Sequence, residues 1–507
     1  PRVWLEEIVP LSIDRCMGHE VGGRGGRDEK MREMRMRKFA FGLALVFAIG
    51  LIAVPAMAED EGKFTSDGDV RLRWEYFGNY QDATDDNQDS FDAFPYRARL
   101  GVEGRFSDRA WGRVDLQAAG WFGDQLGANG YPWPGLGGTV ASRNVGWVSL
   151  YQAFVTVEGG TFDYTVGRKE HAIGNELILG NNDFYNGLTF DGITVNGDFS
   201  SWDLNVWYHQ LNETFSARED NGLFGVDAGF EFGSFNFHPY AVYSKSFWDG
   251  VNTGTLPGGI RPVYLAPRHD LWTVGVIFAM PGDEEEHTGI DFSVELAGQM
   301  GETDPDSSNP ATNSAIDLKG YIFEGWFGFG FGDAGRIHIG TLYASGDDGT
   351  GLASNSPELT AWVPLFEDPH AMNRLGDLDL FSGFGLPGQG AADPFGFGMT
   401  NIWDVNLGYD WWGGEKHHAK VAVHYFTRPE MANFGDCDPV TAGVQECSDQ
   451  IGTELDISYD YQYARNSKLE VGVATLFAGD FFTEFWGPNN DDNITRLWAQ
   501  IHLNWGK

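Results

Sequence analysis

The chain has 507 residues, with 34 Lys and Arg against 73 Asp and Glu, a formal net charge of −39. A surface that acidic repels a nucleic-acid backbone and excludes one as a partner. The 42% hydrophobic and 15% aromatic content is too apolar for a disordered chain and is enough for one large β structure.

Residues 1–35 begin at Pro1, have no apolar period and precede a start codon expected at Met36, with Met31 and Met34 as alternatives. They read as an over-long gene start. Residues 36–58, MRKFAFGLALVFAIGLIAVPAMA, have a basic beginning (Arg37, Lys38), a short apolar run and a small-residue site, Ala56-Met57-Ala58. That is the pattern of a secretory signal peptide cleaved after Ala58, leaving residues 59–507 as one domain. Removing residues 1–58 takes away 9 basic and 7 acidic residues, so the exported chain carries a formal charge of −41. Of three cysteines, Cys16 falls in the leader. Cys437 and Cys447 share one polar loop, and an oxidising destination makes them a disulfide pair rather than a metal site.

From Val70 onward, apolar and polar residues alternate in short runs, the two-residue period of strands with one apolar and one wet face. Val70, Leu72, Trp74 and Tyr76 alternate with Arg71, Arg73 and Glu75. Ala98, Leu100 and Val102 alternate with Arg97, Arg99, Glu103 and Arg105. Val114, Leu116 and Ala118 alternate with Arg113, Asp115 and Gln117. Further strands are predicted near 147–157, 161–168, 188–196, 202–210, 222–232, 235–245, 269–280, 289–299, 319–331, 335–344, 398–411, 417–427, 452–463, 469–477 and 494–505, eighteen in all. Short turns at Ser107, Glu158, Gly197, Gly233, Pro281, Gly332, Trp412 and Ala464 alternate with long loops in every other gap. Long connections at one end and short ones at the other, an even strand count and aromatic strand tips together predict a transmembrane antiparallel β-barrel of the bacterial outer membrane. Its surroundings would be lipid and lipopolysaccharide.

The lumen-facing parity carries the chemistry. Arg71, Arg73, Arg97, Arg99, Arg105 and Arg113 fall inward on three consecutive strands, and guanidiniums bind carboxylate and phosphate in a bidentate way. Glu295, Glu324, Asp404, Glu454, Asp456 and Asp460 are expected to form an acidic wall across from them, a transverse arrangement that favours small polar solutes. The same residues could instead pair with one another to keep a polar interior satisfied. Arg168 has outward parity, so either a bulge resets its register or it lies above the membrane. His209, His238, His338, His424 and His502 sit on separate strands without ligand spacing and read as polar filler. No cofactor is called for. The acidic loops around Gly346-Asp347-Asp348-Gly349 and Asn489–Asn493 read as solvated surface, with structural calcium as the alternative. Lumen glycines such as Gly225, Gly229, Gly328, Gly330 and Gly408 argue for an open interior, and the long loop Ser345–Thr400 is a candidate constriction.

Several motifs resemble those of the alginate-export family of outer-membrane barrels. They are Gly167-Arg168-Lys169-Glu170, the stretch GNELILGNNDFYNGLTFDGITV (Gly174–Val195), Tyr343-Ala344-Ser345-Gly346-Asp347-Asp348, Phe366–Phe381 and Gly452-Thr453-Glu454-Leu455-Asp456. The resemblance spans most of residues 65–505 and implies an eighteen-stranded monomeric barrel and, for the family's namesake, passage of an anionic polysaccharide through an arginine-lined pore. Two departures point away from alginate itself. The connection before the penultimate strand, a long gate in the family's exporter, is here the short turn Ala464–Lys468. The first outer loop is acidic, with Asp82, Asp85, Asp86, Asp89 and Asp92.

The expected function is therefore a porin or channel passing small hydrophilic, anionic solutes or saccharides without chemistry. The alternatives are an outer-membrane barrel enzyme, a lipase or protease, which would need a Ser/His/Asn or Asp/His constellation at the rim, and a plugged structural or adhesive barrel.

Overall fold

The computed structural model describes residues 64–79, 90–122, 148–181, 183–184, 187–212, 221–247, 268–282, 287–303, 316–346, 358–368, 370–378, 399–430, 448–485 and 491–506. The leader, Cys437 and Cys447, Asp82 to Asp89 and the acidic stretch 347–350 lie outside these residues. No described helix is long and apolar enough to cross a membrane.

The wall is one closed antiparallel sheet. In chain order its strands are β1 (Phe64–Gly78), β3 (Pro95–Ser107), β4 (Ala110–Trp121), β5 (Val148–Glu158), β6 (Phe162–Lys169), β7 (Phe190–Asp198), β8 (Trp202–Asn212), β9 (Asn221–Phe232) and β10 (Phe235–Phe247), with the short β2 (Phe91–Ala93) beside the top of β1. The other half consists of β11 (Arg268–Met280), β12 (Thr288–Thr303), β14 (Tyr321–Phe331), β15 (Arg336–Ala344), β17 (Ile402–Trp412), β18 (His417–Thr427), β19 (Gln450–Ala464), β20 (Ser467–Ala478) and β21 (Ile494–Trp505). Two short strands, β13 (Ile316–Leu318) and β16 (Glu358–Leu359), pair in parallel, and β13 also continues the ladder of β12 at its long-loop end. Without the three short strands, eighteen strands pair each with the next. β1 closes the ring on β21, from Gly68 opposite Trp505 to Gly78 opposite Thr495. Closure satisfies every strand edge, which a hydrocarbon environment demands.

All eighteen strands stand where the alternation predicts them. The largest difference is that β1 starts at Phe64 rather than Val70. Its first turn of chain, Thr65-Ser66-Asp67-Gly68-Asp69, lacks apolar residues at the outward positions, so the period-two signal is missing. Pairing with β3 and β21 on both sides nevertheless extends the strand.

Outward positions are apolar and uncovered all round the ring. Val114, Val155, Val166, Ile193, Val274, Leu296, Ile339, Leu407, Val423, Ile457, Val471 and Ile501 are each more than a third exposed. A contiguous apolar band of that extent belongs in lipid. Exposed aromatics border it on both sides. Tyr208, Phe224, Trp272, Tyr321, Trp403 and Tyr425 lie toward the long loops, and Phe232, Phe235, Phe278, Phe331, Trp411 and Tyr463 toward the short turns. Amphipathic rings at two levels mark the two interfaces of a bilayer.

The lumen is far from empty. Two loops fold inward as straps, one through the described residues of 170–189 between β6 and β7, the other through those of 360–378 between β16 and β17. They meet in a parallel bridge between Leu179 and Phe366, with Gly180 N–H donating to Phe366 O and Phe366 N–H to Ile178 O. Ile173, Leu177, Ile178, Leu179, Trp362, Leu375 and Leu378 are almost wholly buried against Trp207, Leu223, Ile277, Ile322, Leu342 and Ile402 of the wall. Burying a large apolar side chain contributes about 1.5–3 kcal/mol, so the strap bases are packed elements rather than free loops.

The lumen glycines do not hold space open, contrary to the sequence reading. A Cβ on Gly225 would lie inside the Trp207 indole, and one on Gly408 inside the His338 imidazole, each the residue directly opposite on the neighbouring strand. Glycine here makes room for a large neighbour to lie flat along the wall.

Candidate functional site

The arginines of β1, β3 and β4 line one side of the lumen, and the first strap comes to meet them. Arg97 divides its fork. Nη2 donates to Asp69 of β1 (3.0 Å to Oδ2), and Nη1 donates to Asp183 Oδ1 at the strap tip (2.6 Å). Arg99 does the same, with Nε on Gln117 (2.6 Å) and Nη1 on the same Asp183 Oδ1 (2.6 Å), its guanidinium lying 3.8 Å over the Tyr151 ring. Arg71 reaches Asp183 Oδ2 (3.1 Å) and the Asp183 carbonyl (2.9 Å). Three guanidiniums thus converge on one carboxylate. Burial alone would raise the Asp183 pKa, but the charges of Arg97, Arg99 and Arg71 outweigh it and hold the carboxyl below the usual range.

The remaining arginines have other settings. Arg113 is held in a two-pronged pair by Asp67 (2.8 and 2.7 Å) and by Asp115. Arg73 pairs with Glu75 (2.9 Å) and lies 4.1 Å over Phe184. Phe184 is sandwiched in turn against His370 of the second strap, the rings 3.8 Å apart and parallel. Arg496, which the sequence reading missed, joins this group from β21, pairing with Glu75 and donating to the Asp377 carbonyl (2.5 Å). Its inward parity on the last strand was the available signal. Arg105 stands apart at the short-turn end, half exposed and 3.7 Å from Glu158.

A cavity of about 200 Å³ opens beside this cluster, lined by Asp67, Asp69, Arg97, Arg99, Arg113, Asp115, Tyr151, Gln152, Glu170, Asn181, Asp183 and His502 among others. The lining therefore alternates guanidinium and carboxylate. Arginines that parity alone makes a basic wall are matched here, group by group, by acids from the wall and the strap.

The acidic residues spread over a wide arc rather than one opposite wall. Glu295 of β12 and Glu324 of β14 lie across the ring, where Glu295 accepts from Tyr240 Oη (2.7 Å) and Glu324 takes both prongs of Arg374 (2.7 and 3.0 Å). Arg374 belongs to the second strap and also donates to the carbonyls of Asn175, Glu176 and Asp368. Asp404, Glu454 and Asp456 cluster on β17 and β19 around His424, whose Nδ1 is 3.0 Å from Asp404 Oδ2. Glu454 and Asp456 accept the backbone N–H groups of Leu378 (2.7 Å) and Asp377 (3.2 Å), anchoring the far end of that strap. Asp460 sits nearer the short turns, bridging Lys468 (3.2 Å) and His418. The histidines are mostly carboxylate partners. His338 and His418 share Asp410 (3.1 and 3.0 Å), and His209 meets His171 of the first strap at 2.5 Å. Among the described residues no group of three or more such side chains is arranged to hold a metal ion.

Arg168 faces outward, as its parity says. No bulge resets it, and it pairs across the strands with Asp191, also outward, through two bonds (2.7 and 2.5 Å) at the loop end of β6. A two-pronged pair neutralises both charges at the edge of the apolar band.

Comparison with known proteins agrees with this architecture. Solved structures with the same fold include Acinetobacter baumannii OccAB2 (TM-score 0.53, 10% identity, covering 87% of this chain and 98% of that one). Acinetobacter baumannii OccAB4 (0.51, 9%, 88% and 99%) and Pseudomonas aeruginosa OccK8, also called OprE (0.51, 10%, 87% and 98%), are similar to the same degree. At such identity the likeness is one of fold. No curated protein matches the sequence. The family described as alginate export matches residues 64–495, nearly the whole barrel. The chain belongs to the alginate-export family, and its fold is a closed eighteen-stranded outer-membrane β-barrel.

Proposed function

We propose that this porin works as a monomer in the bacterial outer membrane and passes small hydrophilic, anionic solutes or saccharides by diffusion, without chemistry on them. The observation that carries the reading is the row Arg97, Arg99 and Arg113 lining a lumen cavity of about 200 Å³, with Arg71 behind it on Asp183. Guanidiniums stay charged at any physiological pH and bind planar carboxylates through paired N–H groups. The short connection between β19 and β20, Ala464 to Ser467, supports a solute other than a long polyuronate, because no long loop lies there to gate one. The two straps across the lumen favour a channel whose conductance depends on where they sit.

Single-channel recording of the chain from Glu59 onward in a planar bilayer tests the reading. Steady openings with a reversal potential favouring anions are expected, and that preference should fall when Arg97, Arg99 and Arg113 are together changed to Ala. No conductance from a barrel shown to be folded by heat-modifiable mobility would instead favour a plugged structural barrel.

A further inference from the structure

We propose that the Arg71, Arg97 and Arg99 cluster is a carboxylate-binding seat occupied by the protein's own Asp183, which an anionic solute displaces as it passes. The inference rests on the channel reading above and adds to it the group that the solute must replace.

The geometry separates what holds the seat from what fills it. Arg97 is fixed from the wall side by Asp69, and Arg99 by Gln117, each through one part of its fork. The other Nη1 groups of both then point to a single oxygen, Asp183 Oδ1, 2.6 Å from each. Arg71 completes the seat on Asp183 Oδ2. If Asp183 leaves, Arg97 and Arg99 keep the contacts that aim them, so the site is preorganised for another carboxylate.

Accessibility points the same way. The Asp183 side chain is 39% exposed, whereas those of Arg71, Arg97 and Arg99 are 12%, 4% and 14% exposed. The carboxylate that fills the seat therefore faces the cavity, and a solute arriving there approaches from the open side. Only the strap tip has to yield. The strap base, from Ile173 to Leu179, is packed into the lumen core, while the tip is held by the Asp183 carboxylate, by its carbonyl on Arg71 and Arg97, and by Phe184 between Arg73 and His370.

Exchange is also the electrostatically economical route. Moving an uncompensated charge into a low-dielectric site is costly, but replacing one carboxylate by another leaves the charge of the cluster unchanged. While Asp183 is seated, the lining carries more carboxylates than guanidiniums. Anion preference should then be partly masked at rest.

The test compares wild type with Asp183→Asn and Asp183→Ser in planar bilayers, using glucuronate as the probe and glucose as its uncharged control. Both variants are expected to raise the anion-to-cation permeability ratio. They should also lower the glucuronate concentration that half-blocks the current about tenfold, the scale of one charge-assisted hydrogen bond, while leaving glucose without effect. Two variants of different shape guard against one that folds poorly, and heat-modifiable mobility reports folding for each. If wild type prefers anions through its arginines but neither folded variant changes permeability ratio or block, Asp183 is only a brace and the proposal is overturned with the channel reading intact. If neither wild type nor variants prefer anions, both fall.

Discussion

His171 shows how a single residue of a strap can report on the lumen. Burial against Trp207 and His209 pushes its imidazole down to about 4, an effect that nearby Asp227 opposes and Lys169 reinforces. A histidine whose folded pKa is depressed binds fewer protons in the packed state than when released. Its contribution to strap packing is therefore full above its ordinary value of 6.5 and is lost as pH falls from there toward 4. Asp183 behaves differently, since its folded pKa lies below the ordinary 3.8 and its hold persists until pH falls beneath that value. Acidification from pH 6.5 to 4 should increase protease access to residues 170–189 in the folded barrel, and His171→Phe should flatten that dependence. Limited proteolysis followed by mass spectrometry across the pH series checks it.

At the scale of elements, the strand has two faces with opposite demands. Val423 lies mid-strand on β18, 41% exposed and flanked by Leu407 and Leu455 on adjacent strands. Its neighbours Ala422 and His424 are fully buried in the lumen. Val423→Arg should cost about 2–4 kcal/mol, the scale for a charge near the bilayer midplane. Equilibrium denaturation in phospholipid vesicles measures this. The same sequence period that makes this prediction located every wall strand, including the last, where inward Trp498, Gln500, His502 and Asn504 alternate with outward residues as expected. It could not say what an inward glycine does. Gly225 read as open space because its strand partner, Trp207, is not known until register is known.

For the whole molecule, the near end of the second strap is held by a buried cation, Arg374, and its far end by Arg496, Glu454 and Asp456. Arg374 is 2% exposed, makes a two-pronged pair with Glu324 and donates to three carbonyls. Arg374→Ala would leave Glu324 buried without that partner, a change that typically costs about 3–5 kcal/mol. The barrel itself is held by its ladders and should persist, so heat-modifiable mobility is expected to survive while the near end of the strap, around Asp368 to Arg374, is loosened and its far end stays on Glu454, Asp456 and Arg496. Larger and noisier single-channel conductance than wild type is the expected readout, and unchanged conductance would mean that the strap does not limit flow.

Fold and candidate site were legible to different depths. Strand alternation is a local property, written in every second residue, and loop lengths give the two ends of the barrel. Together they were enough for eighteen strands, their facing and the inward row of arginines. The family motifs pointed to the same architecture. What meets those arginines was not local. Asp183 lies in a glycine- and asparagine-rich loop, 86 residues from Arg97 and 112 from Arg71, and nothing around it marks its carboxylate as their partner. Arg374 likewise finds Glu324 and Asn175 at separations of 50 and 199 residues. A closed barrel with a charged lumen is written locally, because a two-residue period and a wet interior need only neighbouring residues to specify them. That two straps enter the lumen and that its guanidiniums are already seated on carboxylates emerges only in three dimensions, because ring closure brings together groups that no local pattern connects.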